Sequence, residues 1–231
     1  MSVILRIDID RPYGKKNLFL RTISRIGSDL YFPKINKLGY LNDTKEIITL
    51  LNKLNCQAHI FFRRCTLPNK ILQDFIIKSG HKIGLHLENS RSLSTFKNEF
   101  SIFKNHTNTN VQLLSKHGSG KHRYGLFHYA PYEPEKYIKW AISAQMKVFF
   151  GNLEDPSIPS YSKNGLTVFP AAFWLEPYWR DTKKYSVDWL IENARNKDIV
   201  VLIHPDNITV DLFLKDQLIK IIKNVTIKVF N

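Results

Sequence analysis

Short apolar runs alternate with longer stretches whose apolar residues recur every three or four positions. Residues 2–9 read as a strand, with Ile4, Leu5, Ile7 and Ile9, and Pro12 and Gly14 end it. Residues 17–26 have helical spacing (Leu18, Leu20, Ile23, Ile26), with Gly27 as the stop, and residues 28–41 read as irregular around Pro33 and Gly39. Asp43 and Glu46 read as a capping box that opens a helix with Ile47, Ile48, Leu50, Leu51 and Leu54 on its apolar face. A buried strand follows at 57–62. Pro68 then introduces a helix carrying Ile71, Leu72, Phe75 and Ile76, which Gly80 ends. Residues 82–87 form the next strand, and Ser94 caps a helix with Phe96, Phe100 and Phe103 on one face. Strands at 111–114, 147–150, 166–169 and 199–203 alternate with helices at 134–144, 186–194 and 212–222, and 225–230 is strand-like.

This alternation, repeated about seven times, calls for a parallel sheet with right-handed crossovers. Nothing resembling a linker divides the chain, so residues 1–231 are expected to form a single α/β domain.

Composition narrows the function classes. With 43% hydrophobic residues, including 15 Phe, 10 Tyr and 4 Trp, the chain supplies ample core. No apolar run approaches the roughly 20 residues that span a bilayer, and the first residues enter a strand rather than a signal peptide. Cys56 and Cys65 flank an extended strand, which separates them too far for a disulfide. These features lead us to expect a cytoplasmic protein. The net charge of +14 suggests an anionic partner, but the basic residues are dispersed and no nucleic-acid-binding motif is present, so no nucleic-acid partner is expected.

Candidate chemistry gathers where strands end. Asp8 and Asp10 lie two apart and so share a side of the first strand; one carboxylate suits a cation and the other a proton, or the pair simply caps a helix or meets Arg11. His81 and His86 are five apart and point to opposite faces, so only one enters a shared site. His86 is nearer the C-terminal end, with Glu88 on its side. His117 opens a Gly-Ser-Gly turn, and Lys121, His122 and Arg123 prolong its basic character. His204 leaves the apolar run 200–203 just before Pro205, where an imidazole suits general-acid work or a structural role.

In order and spacing these residues resemble the polysaccharide deacetylase family, the NodB-homology carbohydrate esterases. Residues 6–10 (Arg-Ile-Asp-Ile-Asp) are similar to that family's Thr-Phe-Asp-Asp-Gly, and 58–62 to its Ala-Thr-Phe-Phe. Residues 80–86 match Gly-His-Glu-Ile-Gly-Asn-His at five of seven positions, and 202–204 resemble its Leu-X-His strand end. The likeness runs over residues 3–210.

It implies a distorted (β/α)7 barrel holding a divalent metal, usually zinc. Asp8 resembles the catalytic base, Asp10 the metal carboxylate, His86 the first metal histidine and His204 the general acid. Ile9 splits the aspartate pair, so the roles of Asp8 and Asp10 are exchangeable. The family's second metal histidine falls at Ser90, a poor zinc ligand. His117, at the next strand end, is the proposed replacement, with Glu88 as second choice. Arg123 and Trp174 are candidates for the family's arginine and tryptophan.

The implied activity is removal of an acetyl or similar acyl group from a sugar or glycan precursor in surface polysaccharide synthesis. A phosphate-bearing or lipid-linked substrate would suit the charge. Loss of the histidine at Ser90 makes a catalytically silent glycan-binding protein the alternative. Sugar, acyl group, metal and oligomeric state are left open.

Overall fold

Alternation of period two along the first strand determines how the chain is layered. Strand β1 (Val3–Ile9) turns Val3, Leu5, Ile7 and Ile9 towards surrounding helices, while Ile4, Arg6 and Asp8 face the opposite side. The computed structural model describes residues 1–13, 18–30 and 39–230. In these the strands are β1, β2 (His59–Phe62), β3 (Lys82–Leu87), β4 (Leu113–Lys116), β5 (Val148–Leu153), β6 (Tyr161–Lys163), β7 (Leu166–Ala171), β8 (Phe173–Trp174) and β9 (Ile199–Ile203). The helices are α1 (Leu18–Leu30), α2 (Tyr40–Lys53), α3 (Lys70–Lys78), α4 (Leu93–Thr107), α5 (Pro134–Ser143), α6 (Val187–Asn193), α7 (Pro205–Ile208) and α8 (Leu212–Asn224).

The strands pair in the order β6-β7-β5-β4-β3-β2-β1-β9-β8, parallel throughout except for the antiparallel β6–β7 hairpin. The mixed sheet curls into a barrel-like half-cylinder of the expected (β/α)7 type. One extended stretch of chain links its two sides. Ala171 pairs with Leu153 of β5, and two residues on, Phe173 pairs with Val201 of β9.

Two apolar layers result. Leu5, Ile60, Phe62, Leu85, Leu87 and Ile203 join helix residues such as Ile47, Ile76, Phe96 and Leu218 in the outer layer. Ile4, Phe61, Leu113, Val148, Phe150, Phe169, Val200 and Leu202 fill the concave interior. Gly84 belongs to that interior: a Cβ there would come within 2.3 Å of the Phe61 ring. At the N-terminal end of the strands the His59 ring packs 5.4 Å from Phe150 and 5.7 Å from Phe230. Halfway up, the fully buried Arg6 grips both carboxylate oxygens of Asp8, at 2.9 and 2.6 Å, and donates to the Gly151 carbonyl.

Several boundaries differ from the sequence reading. Helix α1 runs through Gly27 to Leu30, because Gly27 supplies close contact rather than a stop: a Cβ there would lie 3.1 Å from the Tyr13 ring. Asn17, Gly14 and the stretch 31–38 of the segment expected to be irregular lie outside the described residues. Helix α2 begins at Tyr40 with Gly39 as its N-cap, so Asp43 sits inside the first turn and accepts from Thr209 Oγ1 at 3.3 Å instead of capping. The α4 cap is Ser92, not Ser94. Strand β4 starts two residues later than expected, and 225–230 makes a single bridge, Val3 to Ile227, in place of a strand. Cys56 and Cys65 are buried free thiols.

Candidate metal site and its proton donor

Because parallel strands end together, residues of like parity on β1, β3, β4 and β9 meet above the barrel. Asp10 follows β1, His117 follows β4, His204 follows β9, and His86 lies within β3 opposite Ser115. His86 Nε2 is 3.0 Å and His117 Nδ1 3.1 Å from Asp10 Oδ1, and the two nitrogens are 3.2 Å apart. His204 Nε2 faces the other oxygen, Asp10 Oδ2, at 3.4 Å.

Neighbours fix each ring. His86 Nδ1 bonds Ser115 Oγ at 2.7 Å, and when that nitrogen is the donor its Nε2 carries a lone pair towards Asp10. His117 is buried, and burial together with the Arg63 guanidinium pushes it well below the ordinary histidine value, so it presents a neutral ring. Burial opposes charge on Asp10, but the imidazoles of His117, His204 and His86 hold its carboxyl well below the usual carboxylate range. Two ring nitrogens and an ionised oxygen thus converge on one point, and Asp10 Oδ1 forms no well-aligned hydrogen bond there. A cation at that point would take the place of the ring protons and receive all three lone pairs.

The spacing fits a cation. Ligands about 2.0–2.1 Å from a tetrahedral zinc sit roughly 3.3 Å from one another. A set of one carboxylate and two imidazoles is a zinc-type donor set that leaves a coordination position open.

The opposite wall belongs to His204. Glu176 Oε1 accepts from His204 Nδ1 at 2.9 Å, from the His204 backbone N at 3.2 Å and from Asn207 Nδ2 at 2.8 Å. Burial works against the imidazolium, yet the Glu176 carboxylate and Asp10 hold His204 well above the ordinary histidine value. The Trp174 ring lies tilted at 5.9 Å from both the His204 ring and Trp179. All of these except Glu176 line a cleft of about 850 Å³, along with Arg11, Arg123, Asn152 and residues of α1.

No protein-family model matches the sequence, and no curated protein matches it. Solved structures do. One described as a polysaccharide deacetylase from Mycobacterium smegmatis superposes with a TM-score of 0.61 at 12% identity, covering 98% of this chain and 85% of the other. The fold is that of the CE4 polysaccharide deacetylases. The catalytic domain of a peptidoglycan N-acetylglucosamine deacetylase from Eubacterium rectale matches at TM-score 0.51 and 15% identity, over 99% and 88% of the two chains. A CE4 family pseudoenzyme from Bacillus anthracis matches at 0.50 and 13% identity; 98% of this chain is covered but only 62% of that one, so this chain spans less than two thirds of its length.

Within this deacetylase fold, Asp8, Asp10, His86, His117 and His204 all come together. Asp8 lies deepest, its Oδ2 3.5 Å from His86 Nε2 and both its oxygens held by Arg6. Ser90 is elsewhere, buried and bonded to Tyr137 Oη at 3.2 Å, and Glu88 is paired with Arg63. His81 sits at the far end of β3, accepting from Ala58 N and bonding Asn52. Lys121 pairs with Glu154 at 2.8 Å, and Arg123 reaches the cleft rim while donating to the Gly125 and Leu126 carbonyls. Arg6, Arg63, Ser115 and Glu176 escaped the sequence reading. Strand parity could have pointed to Arg63, two places beyond Phe61 on the same side, whereas Glu176 follows a strand of only two residues.

Proposed function

We propose that the chain is a metal-dependent hydrolase that removes an acetyl or similar acyl group from a sugar or glycan precursor. The convergence of Asp10, His86 and His117 at 3.0–3.2 Å carries this reading. These three would hold the metal. A divalent ion there, zinc by its donor set, supplies a Lewis acid and acidifies water.

The chain's own groups supply the rest. Asp8, bordering the ligand set, takes a proton from the attacking water. Glu176 fixes His204 so that Nε2 faces the cleft, where it donates to the leaving amine or alcohol as the acyl bond breaks. Trp174 and Trp179 offer apolar walls to a sugar ring. Arg11 and Arg123 on the rim suit a phosphate-bearing or lipid-linked substrate of the kind used in surface polysaccharide synthesis.

One observation favours the second reading, a silent glycan binder: Arg6 occupies both oxygens of Asp8. Acetate release from N-acetylated sugars by the zinc-loaded protein decides between the two. The hydrolase reading expects turnover that chelation abolishes and that His204→Ala lowers by about 10²–10⁴-fold. Undiminished turnover after either treatment contradicts the mechanism. Glycan binding without acetate release favours the silent protein.

A further inference from the structure

Helix α1 is packed inside out. It buries Ser24, Gly27 and Ser28 against the body of the protein, with Ser24 Oγ accepting from Tyr13 N at 3.3 Å and Gly27 against the Tyr13 ring. Phe19, Ile26 and Leu30, three to four residues apart or a multiple of that spacing, share the outward side and are 66%, 42% and 59% exposed, and Leu18 is exposed beside them. A helix that hides serines and shows phenylalanine, isoleucine and leucine to its surroundings is suited to an apolar phase outside the protein.

Its position and charge narrow down what that phase is. Leu18, Arg21 and Arg25 line the cleft above the candidate metal site, so α1 is a wall of the entrance. Asp29 Oδ1 accepts from Leu126 N at 2.6 Å, which brings the exposed Leu126 into the same rim. Val210, Leu212 and Phe213, exposed on the segment that follows α7, are further apolar groups at the strand-end side of the barrel. Arg21 and Arg25 are exposed on the same helix, within a chain of net charge +14. Apolar side chains to enter the acyl boundary and arginines to meet phosphates are the two halves of an interfacial helix. A symmetric dimer through α1 would bring copies of these arginines close to one another, an arrangement that like charges oppose.

We propose that α1 docks the mouth of the cleft onto an anionic membrane surface. The substrate would then be a glycan carried on a lipid, presented from that surface to the barrel end. The choice of substrate rests on the hydrolase reading; the docking itself does not, and its test involves no chemistry.

Sedimentation of the full chain with phosphatidylcholine vesicles, with and without phosphatidylglycerol, tests the docking. Binding is expected to the anionic vesicles and to weaken with salt. The double variant Phe19→Ser/Leu30→Ser should lower it by about tenfold or more while keeping its thermal midpoint, its metal content and any hydrolysis of a soluble acetylated sugar. Arg21→Glu/Arg25→Glu should lower it as well. No binding by the parent protein, equal binding by parent and variants, or a parent dimer that Phe19→Ser/Leu30→Ser turns into monomer would each overturn the proposal.

Discussion

Glu176→Gln retains the shape around His204 but removes the charge that its imidazole faces. It is therefore expected to lower acetate release by about 10–100-fold without loss of bound metal, read as kcat and metal content on one preparation. Ser90→Ala should leave metal content unchanged and cost only about 1 kcal/mol, the value of one side-chain bond, because Ser90 points to Tyr137. Arg6→Leu strips a buried carboxylate of its partner and should cost about 3–5 kcal/mol by denaturant unfolding. Asp8, Asp10, His86 and His204 could be found from the sequence, since an acid or imidazole ending an apolar strand is a local pattern. Arg6 and Glu176 could not: Arg6 shows its role only in gripping Asp8 and the Gly151 carbonyl inside the barrel, and Glu176 stands beside His204 only because the short β8 pairs with β9. His117 stands beside Asp10 because neighbouring strand ends converge, whereas Ser90, where the family resemblance places its second metal histidine, turns away to Tyr137.

Strands were more legible than the starts of helices. Short apolar runs bounded by polar residues gave β3 and β9 at their observed limits, but α2 begins after Gly39 without a side-chain cap and α4 is capped by Ser92, two residues before the expected Ser94. The two-residue β8 carries no periodicity to detect. Gly84→Ala pushes a methyl into the Phe61 ring and should destabilise by about 1–3 kcal/mol, seen as a lower thermal midpoint. On β2, burial lowers His59 to about 4. An unfolded histidine titrates near 6.5, so below that value the unfolded chain binds a proton the folded one refuses. His59 therefore contributes stability that is present above about pH 6.5 and lost as pH falls towards 4, up to about 3 kcal/mol. Urea unfolding across that window should show the decline, and His59→Phe should remove its share, leaving that of His81 and His128, which burial also lowers, to about 4 and about 3.

For the molecule as a whole, the alternation of strands and helices was enough to expect an α/β protein with a parallel sheet; the barrel was what the family resemblance implied, and the sheet order agrees with it. How the barrel is joined was not legible: the stretch from β7 to β8 links β5 to β9 through pairings remote in sequence. Among the described residues no helix is long and apolar enough to cross a membrane, and α1 is suited instead to lie along one. If Asp10, His86 and His117 hold a metal in the folded state alone, added zinc must raise the thermal midpoint with its concentration.

Metal analysis of the purified protein and of His117→Ala, each folded by circular dichroism and equilibrated with zinc, tests this most directly. About one equivalent in the parent is expected from a single closed donor set, and a loss of affinity of at least tenfold in the variant. A parent that binds no zinc, or a variant that keeps its full equivalent with undiminished affinity, would contradict the metal site.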